Sequence, residues 1–262
     1  MFRLAVGQAP AELDDLDDRL DWLRTALVQA TKQGADLLLL PELFGCGYNI
    51  GDALRSRAEP LNGRTFDAVS ALSKDFGLAI HYGFAELCDG TLFNATACTS
   101  PKGRLLSHQR KLAIPPGFEQ SYFTPGHGCS VFELGGLRMA TLICYDAEFP
   151  ETVRHVASLG AQLVLVPTAL GNGWPSVARK MMPTRAFENG VYLAYANWAG
   201  TQNGMTFLGE SVLATPDGQD GVQAGSEADI LVAEIDTRRV EAAQRRLPYL
   251  IDRENLNLSD GG

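Results

Sequence analysis

The chain has 262 residues, 45% hydrophobic and 20% charged, with a formal net charge of −9. That length and composition support a sizeable core without disulfide or metal staples. The acidic balance argues against nucleic acid or an anionic membrane surface as a partner.

Phe2 to Gln8 reads as a first strand rather than a signal peptide. Leu13, Leu16, Leu20, Leu23, Leu27 and Ala30 then recur in steps of three and four, the mark of an amphipathic helix. Asp14, Asp15, Asp17 and Asp18 sit near its positive N-terminal end. Ala35 to Leu40 carries four consecutive leucines, which suits a strand buried on both faces, and it ends in Pro41-Glu42. Arg64 to Phe76 reads as a second helix. Strands are expected at Leu78–Ala85, Leu92–Thr99 and Gly103–Gln109, with Asp89-Gly90 and Pro101-Lys102-Gly103 as hairpin turns.

Residues 112–129 are rich in Pro and Gly and read as a long surface loop. Strands Ser130–Leu134 and Leu137–Ile143 follow, the second running straight into Cys144. A helix is expected from Pro150 to Gly160, then a buried strand at Gln162–Val166. Pro175–Asn189 is a helix that Pro183 should interrupt. Val191–Asn197, Leu208–Ala214 and Ile230–Ile235 are further strands, and about 245–262 is a polar tail. Interleaved strands and helices with several hairpins give a layered α/β fold with mixed sheets, read as a single unit over 1–262.

Three residues at strand ends are candidates to carry chemistry. Cys144 is delivered by an apolar strand to a turn before a helix, where backbone N–H groups favour thiolate. The plain alternative is a buried structural cysteine. Glu42 follows another buried strand, and burial would raise its pKa toward that of a general base. A salt-bridged loop carboxylate is the alternative. Lys111 sits beside Arg110, a pair that is usually a solvated face. His81, His108, His127 and His155 share no spacing, and no metal-ligand pattern such as HExxH is present. The five cysteines, Cys46, Cys88, Cys98, Cys129 and Cys144, form no CxxC pair. Free thiols in a reducing, cytoplasmic compartment are expected. No apolar stretch approaches the ~20 residues of a membrane span.

The blocks Leu40-Pro41-Glu42, Arg110-Lys111-Leu112 and Leu142-Ile143-Cys144-Tyr145-Asp146 resemble, in order and spacing, the nitrilase superfamily of carbon-nitrogen hydrolases. Gly117-Phe118-Glu119, Arg185-Ala186-Phe187-Glu188-Asn189 and Gly209-Glu210-Ser211 extend the resemblance over nearly the whole chain. The resemblance implies an αββα sandwich and a Glu–Lys–Cys triad needing no cofactor. Glu42 would be general base and acid, Lys111 the oxyanion stabiliser and Cys144 the nucleophile. Glu119 matches a second family glutamate that positions substrate or lysine. The Tyr145 backbone N–H would join Lys111 at the oxyanion. A homodimer or higher homo-oligomer through the helices flanking the cysteine is also implied.

Within the family, Gly47-Tyr48-Asn49-Ile50-Gly51, the run from Cys144 to Glu151, and Leu247-Pro248-Tyr249-Leu250 resemble the branch of 5-aminopentanamidase and R-stereoselective amidases. Relatives acting on carboxylate-bearing substrates tend to carry Arg where this chain has Glu148. A glutamate suits an ammonium, so a neutral or amino-bearing small amide is the expected substrate. The alternative is that Glu148 pairs with a structural Arg such as Arg154 or Arg179. Tyr48 and Trp174 could line an apolar pocket wall, or pack as core. The rival functions are a nitrilase, an N-carbamoyl amine hydrolase, and a non-catalytic binding relative.

Overall fold

The computed structural model describes residues 1–219 and 221–257. Strand β1 (Phe2–Gln8) leads through helix α1 (Leu16–Lys32) to β2 (Leu37–Leu39). Helices α2 (Ala53–Arg57) and α3 (Arg64–Phe76) precede an antiparallel run of β3 (Ala79–Cys88), β4 (Thr91–Thr99) and β5 (Leu105–Arg110). After a long loop come β6 (Val131–Leu134), β7 (Leu137–Thr141), α4 (Pro150–Ser158), β8 (Leu163–Pro167), α5 (Met182–Asn189) and β9 (Tyr192–Ala196). The short strands β10 (Thr201–Gln202), β11 (Met205–Thr206), β12 (Val212–Ala214) and β13 (Val222–Gln223) lead to β14 (Asp229–Ile235). Helices α6 (Thr237–Arg246) and α7 (Tyr249–Asp252) follow.

Two six-stranded sheets result, ordered β14-β1-β2-β3-β4-β5 and β13-β12-β9-β8-β7-β6. Each has a parallel centre, β1-β2-β3 or β7-β8-β9, with antiparallel strands at both sides. The run of leucines shows how the layers form. Leu37 and Leu39 join a core between the sheets with Leu4, Leu163 and Leu165. Leu38 and Leu40 point the other way, to Leu23 and Leu27 of α1. Alternation along a strand sends neighbours to opposite faces, so a strand covered on both sides must be apolar throughout. On the far side, Val153 and Val156 of α4 and Met182 and Ala186 of α5 cover Val164, Val166 and Leu193. The order of layers is helix, sheet, sheet, helix. Each fully buried leucine or valine contributes roughly 1.5–3 kcal/mol to holding it.

Local signals explain most boundaries. Asp15 caps α1, its side chain accepting the Asp18 N–H at 3.0 Å. Gly77 ends α3 in the left-handed conformation. Other expectations need correction. The break foreseen at Pro183 falls one turn earlier, as a π-helical turn over Val177–Met181, and Pro183 itself sits in the first turn of α5. Of the strand expected over Leu208–Ala214, only Val212–Ala214 pairs, because Asn197 and Ser211 side chains take the backbone bonds nearby. The expected polar tail is partly folded: α6 runs through Arg246, and α7 packs back on α4 and α5. Residues 258–262 of that tail lie outside the described residues. Among the described residues, no helix is long and apolar enough to cross a membrane.

Candidate active site

The chemistry-bearing side chains gather where β2, β5, β7 and β8 end. Both sheets contribute, so the site spans the sandwich rather than one edge. This matches the tendency of α/β sheets to bind ligands beyond the carboxyl ends of strands.

Glu42 lies two residues past Leu40 and is wholly buried. Its backbone is held on two sides: the N–H donates to the Thr168 carbonyl at 3.3 Å, and the Trp198 indole N–H donates to its carbonyl at 2.9 Å. Below it is Gly83 of β3. A Cβ there would lie 2.4 Å from the Leu43 nitrogen and 3.0 Å from the Glu42 Cα. No side chain fits at that close approach.

Lys111 follows β5 and is equally buried. Its Nζ donates to Glu42 Oε1 at 2.7 Å and to the two Glu119 oxygens at 2.9 and 2.8 Å. The adjacent Arg110 turns away and forms a fork on Glu86, at 2.7 and 2.8 Å. The neighbouring cations therefore face different environments, Lys111 in the dry interior and Arg110 half-buried against Glu86 and the Phe93 ring. Glu119 belongs to a 3₁₀ turn (Phe118–Ser121) in the 112–129 loop, so part of that loop is interior rather than surface. Tyr48 donates to Glu119 at 2.6 Å, and Asn94 of β4 donates to both Glu42 Oε1 (2.7 Å) and Glu119 Oε2 (3.2 Å).

Two carboxylates and one ammonium in a dry site carry a net negative charge. Burial pushes the Glu42 pKa up to about 7, against the opposing pull of Lys111. Burial alone would depress Lys111, but Glu42 and Glu119 outweigh it and hold its ammonium firmly charged. Glu42 Oε1 takes both donors, while Oε2 has no hydrogen-bond partner among the described residues. A free oxygen on a carboxylate poised near neutrality is where a proton can be taken up and returned.

Cys144 opens a 3₁₀ turn (Cys144–Glu148), separated from β7 by Leu142 and Ile143, with φ at +47°. A non-glycine residue in that region is strained, and such strain recurs where a nucleophile is thrust out of a strand-to-helix turn. Burial, then the Glu42 charge, hold its thiol well above the ordinary range, opposed by Lys111, the Thr168 hydroxyl and the Ala169 N–H. The Cys144 turn is clipped to the Lys111 segment by Asp146. That carboxylate accepts the Leu112, Ala113 and Ile143 N–H groups at 3.0, 2.8 and 3.1 Å.

A cavity of about 560 Å³ opens onto Cys144. Tyr48, Phe118, Tyr145, Leu170 and Val177 give it apolar walls, with Glu148 and Trp174 also lining it. Tyr48 is thus both packed and part of the cavity wall, while Trp174 is 68% exposed. Arg154 and Arg179 do not meet Glu148, since they pair with Glu188 and Glu210. Arg185 donates to the Glu148 carbonyl at 2.7 Å, leaving the carboxylate toward the cavity. Asn94, Asp146, Thr168, Tyr195 and Trp198 were not singled out from sequence. Among the described residues no cluster of His, Cys, Asp and Glu could hold a metal ion.

The carbon-nitrogen hydrolase family model matches residues 3–245. The chain is 36% identical over 255 residues to a Pseudomonas protegens protein named "Hydrolase in pqqF 5'region", covering 96% of this chain and 89% of that protein. It is 34% identical over 241 residues to an (R)-stereoselective amidase of Pseudomonas sp., covering 91% and 87%. Among solved structures, an amidase variant from Nesterenkonia sp. AN1, carrying acrylamide added at its active-site cysteine, superposes with a TM-score of 0.81. It shares 32% identity, over 98% of this chain and 100% of that one.

Proposed function

The chain belongs to the carbon-nitrogen hydrolase family, and on that premise we propose that it is an amidase whose nucleophile is Cys144. The observation that carries this reading is the meeting of three sequence-distant groups. A buried carboxylate with one free oxygen is bonded to a charged lysine, and both act electrostatically on a cysteine that a strained turn presents to the cavity. The cysteine adduct and amidase names of the relatives support the same chemistry.

The Cys144 thiol gives its proton to Glu42 Oε2 as the sulfur attacks the amide carbon. The carbonyl electron pair moves to oxygen. Lys111 stabilises that charge, since its two contacts with Glu119 can share one N–H and free another. The Tyr145 N–H, at the start of a turn whose first N–H groups lack partners within it, is the second donor. Glu42 returns the proton to the leaving nitrogen, the C–N bond breaks, and ammonia departs from a thioester. Water then gives a proton to Glu42 and attacks the thioester, and collapse expels the sulfur with the acid as product. Glu119 holds Lys111 in place throughout.

The substrate class is a small aliphatic or amino-bearing carboxamide. The cavity's modest size and apolar walls support it, as does Glu148 at one side. A nitrilase or N-carbamoyl amine hydrolase would use the same groups, and no feature of the cavity favours either. A cytoplasmic setting is in keeping with five free thiols. Self-association is proposed through the helices of the α4 and α5 layer, where Phe149 and Leu159 at the ends of α4 and Tyr249 and Ile251 of α7, which packs on α4 and α5, are apolar and exposed.

The test is ammonia release from a panel of amides, nitriles and carbamoyl compounds, with Cys144→Ala beside the wild type. Release from neutral and amino amides that vanishes in the variant is the expected result. Undiminished release by Cys144→Ala overturns the mechanism, and a clear preference for nitriles or for amides with a distal carboxylate overturns the substrate class.

A further inference from the structure

One side chain touches the Cys144 sulfur that the steps above do not use. Thr168 immediately follows β8, and its Oγ1 lies 2.9 Å from Cys144 Sγ. The same oxygen lies 2.9 Å from the Tyr195 hydroxyl on β9. All three residues are buried. We propose that Thr168 is a positioning residue that donates a hydrogen bond to the Cys144 thiolate and is itself held as donor by Tyr195. The inference rests on Cys144 being the nucleophile.

The direction of the chain follows from proton counting. A hydroxyl carries one proton, so Thr168 cannot donate to both neighbours at once. A thiolate can only accept. Once Cys144 ionises, the Thr168 proton must lie on the sulfur side, and Tyr195 must donate to Thr168. Tyr195 has reason to do so, because a buried phenol without an acceptor is costly.

The site needs this donor. Its nearest charges disagree: Glu42 disfavours thiolate and Lys111 favours it, while burial disfavours it most. Lys111 is already committed to two carboxylates. A short hydroxyl–sulfur contact adds stabilisation that is much larger when the sulfur bears charge than when it is a thiol. It also fixes where the sulfur points, which matters for attack on a bound amide. Thr168 is placed for both tasks by its backbone. Its N–H donates to Ala196 at 2.8 Å, and its carbonyl accepts from Glu42 at 3.3 Å. The base and the nucleophile therefore share one residue as a reference point.

The experiment compares wild type with Thr168→Val, Thr168→Ser and Tyr195→Phe. Turnover of a simple aliphatic amide is measured together with the pH dependence of Cys144 alkylation by iodoacetamide, read by mass spectrometry. Valine keeps the shape and loses the hydroxyl, whereas serine keeps the hydroxyl and loses the methyl. Thr168→Val is expected to lower kcat about 10- to 100-fold with KM within about threefold, and to move the alkylation midpoint up by about one pH unit. Thr168→Ser is expected to stay within about threefold of wild type, and Tyr195→Phe to shift the midpoint the same way by less. A wild-type profile for Thr168→Val overturns the proposal. So do equal losses in the valine and serine variants with an unmoved midpoint, which would mean packing alone. If the wild type itself shows no Cys144-dependent turnover, the nucleophile reading fails first, and this proposal with it.

Discussion

The floor and the mouth of the cavity are built on opposite plans. At the floor, Glu42, Lys111 and Glu119 are almost wholly buried and bonded to one another, to Asn94 and to Tyr48. At the mouth, Trp174 stands largely in solvent and Glu148 is half-buried, its carboxylate in no ion pair among the described residues. Groups that must hold a charge or a proton at a set energy are kept dry and over-determined. Groups that choose among substrates are left adjustable. A substitution at the floor should therefore change the rate for every substrate, and one at the mouth should change the ranking of substrates.

Glu42→Gln gives the largest expected effect. Gln Oε1 can still accept from Lys111 and Asn94, but no proton can be carried. Turnover of every amide should fall by roughly 10³-fold or more. Stability should move the other way. Glu42 binds its proton more tightly folded, at about 7, than at its ordinary 4.5. Between those values the native state holds the extra proton, so wild-type stability declines as pH rises through about 7. The glutamine variant has no such decline. Its Tm should gain on the wild type between pH 5 and pH 8, as measured by thermal denaturation at both. A gap that stays constant from pH 5 to pH 8 would show that Glu42 is ionised throughout, and the poised base would be lost from the account.

Gly83→Ala should come next, although residue 83 touches no substrate. The added Cβ meets the Leu43 nitrogen and the Glu42 Cα, which are backbone and cannot swing aside. We expect kcat to fall about 10- to 100-fold for all amides, from displacement of the base by a fraction of an ångström. Steady-state kinetics on two unrelated amides checks this: unequal losses would mean that the mouth, not the floor, had moved.

The two plans also differ in how legible they were. Glu42 and Cys144 stood out because each interrupts apolar chain at the end of a strand, where a polar residue is conspicuous, whereas Lys111 follows the polar Ser107–Arg110 run and was marked by the family resemblance alone. The fold was legible for a related reason, since the Leu37–Leu40 run admits no exposed face. Thr168 obeys the same rule, following the apolar Leu163–Pro167 of β8, and was overlooked because threonine is unremarkable next to a strand. Asn94 lies inside β4, where only the partner strands reveal that it faces Glu42 rather than solvent. The Asp146 clip joins residues 33 and 34 positions apart, a proximity that exists only once β7 is seated. The tail was misread because α7 is held by tertiary packing on α4 and α5, and four residues have too little helical preference to announce themselves.

At the mouth, Glu148→Gln is the smallest effect and the most selective. Burial raises the Glu148 pKa, and the Lys111 and Arg185 charges oppose that rise. Arg154 and Arg179 are engaged elsewhere, and Arg185 is held by Glu188 and by the Glu148 carbonyl, so a further cation for this carboxylate is one the substrate would bring. Such a pair at a half-exposed site is modest, so KM for 5-aminopentanamide should rise about 5- to 10-fold. A neutral amide of similar length should stay within about twofold. The sign of the pH effect follows from the same group: protonating Glu148 removes its charge, so the wild type's preference for the amino amide should fade as pH is lowered, and the glutamine variant should show no such trend. Equal changes for both amides would mean that Glu148 only shapes the wall, and the cavity would then select by size and apolarity without reading charge.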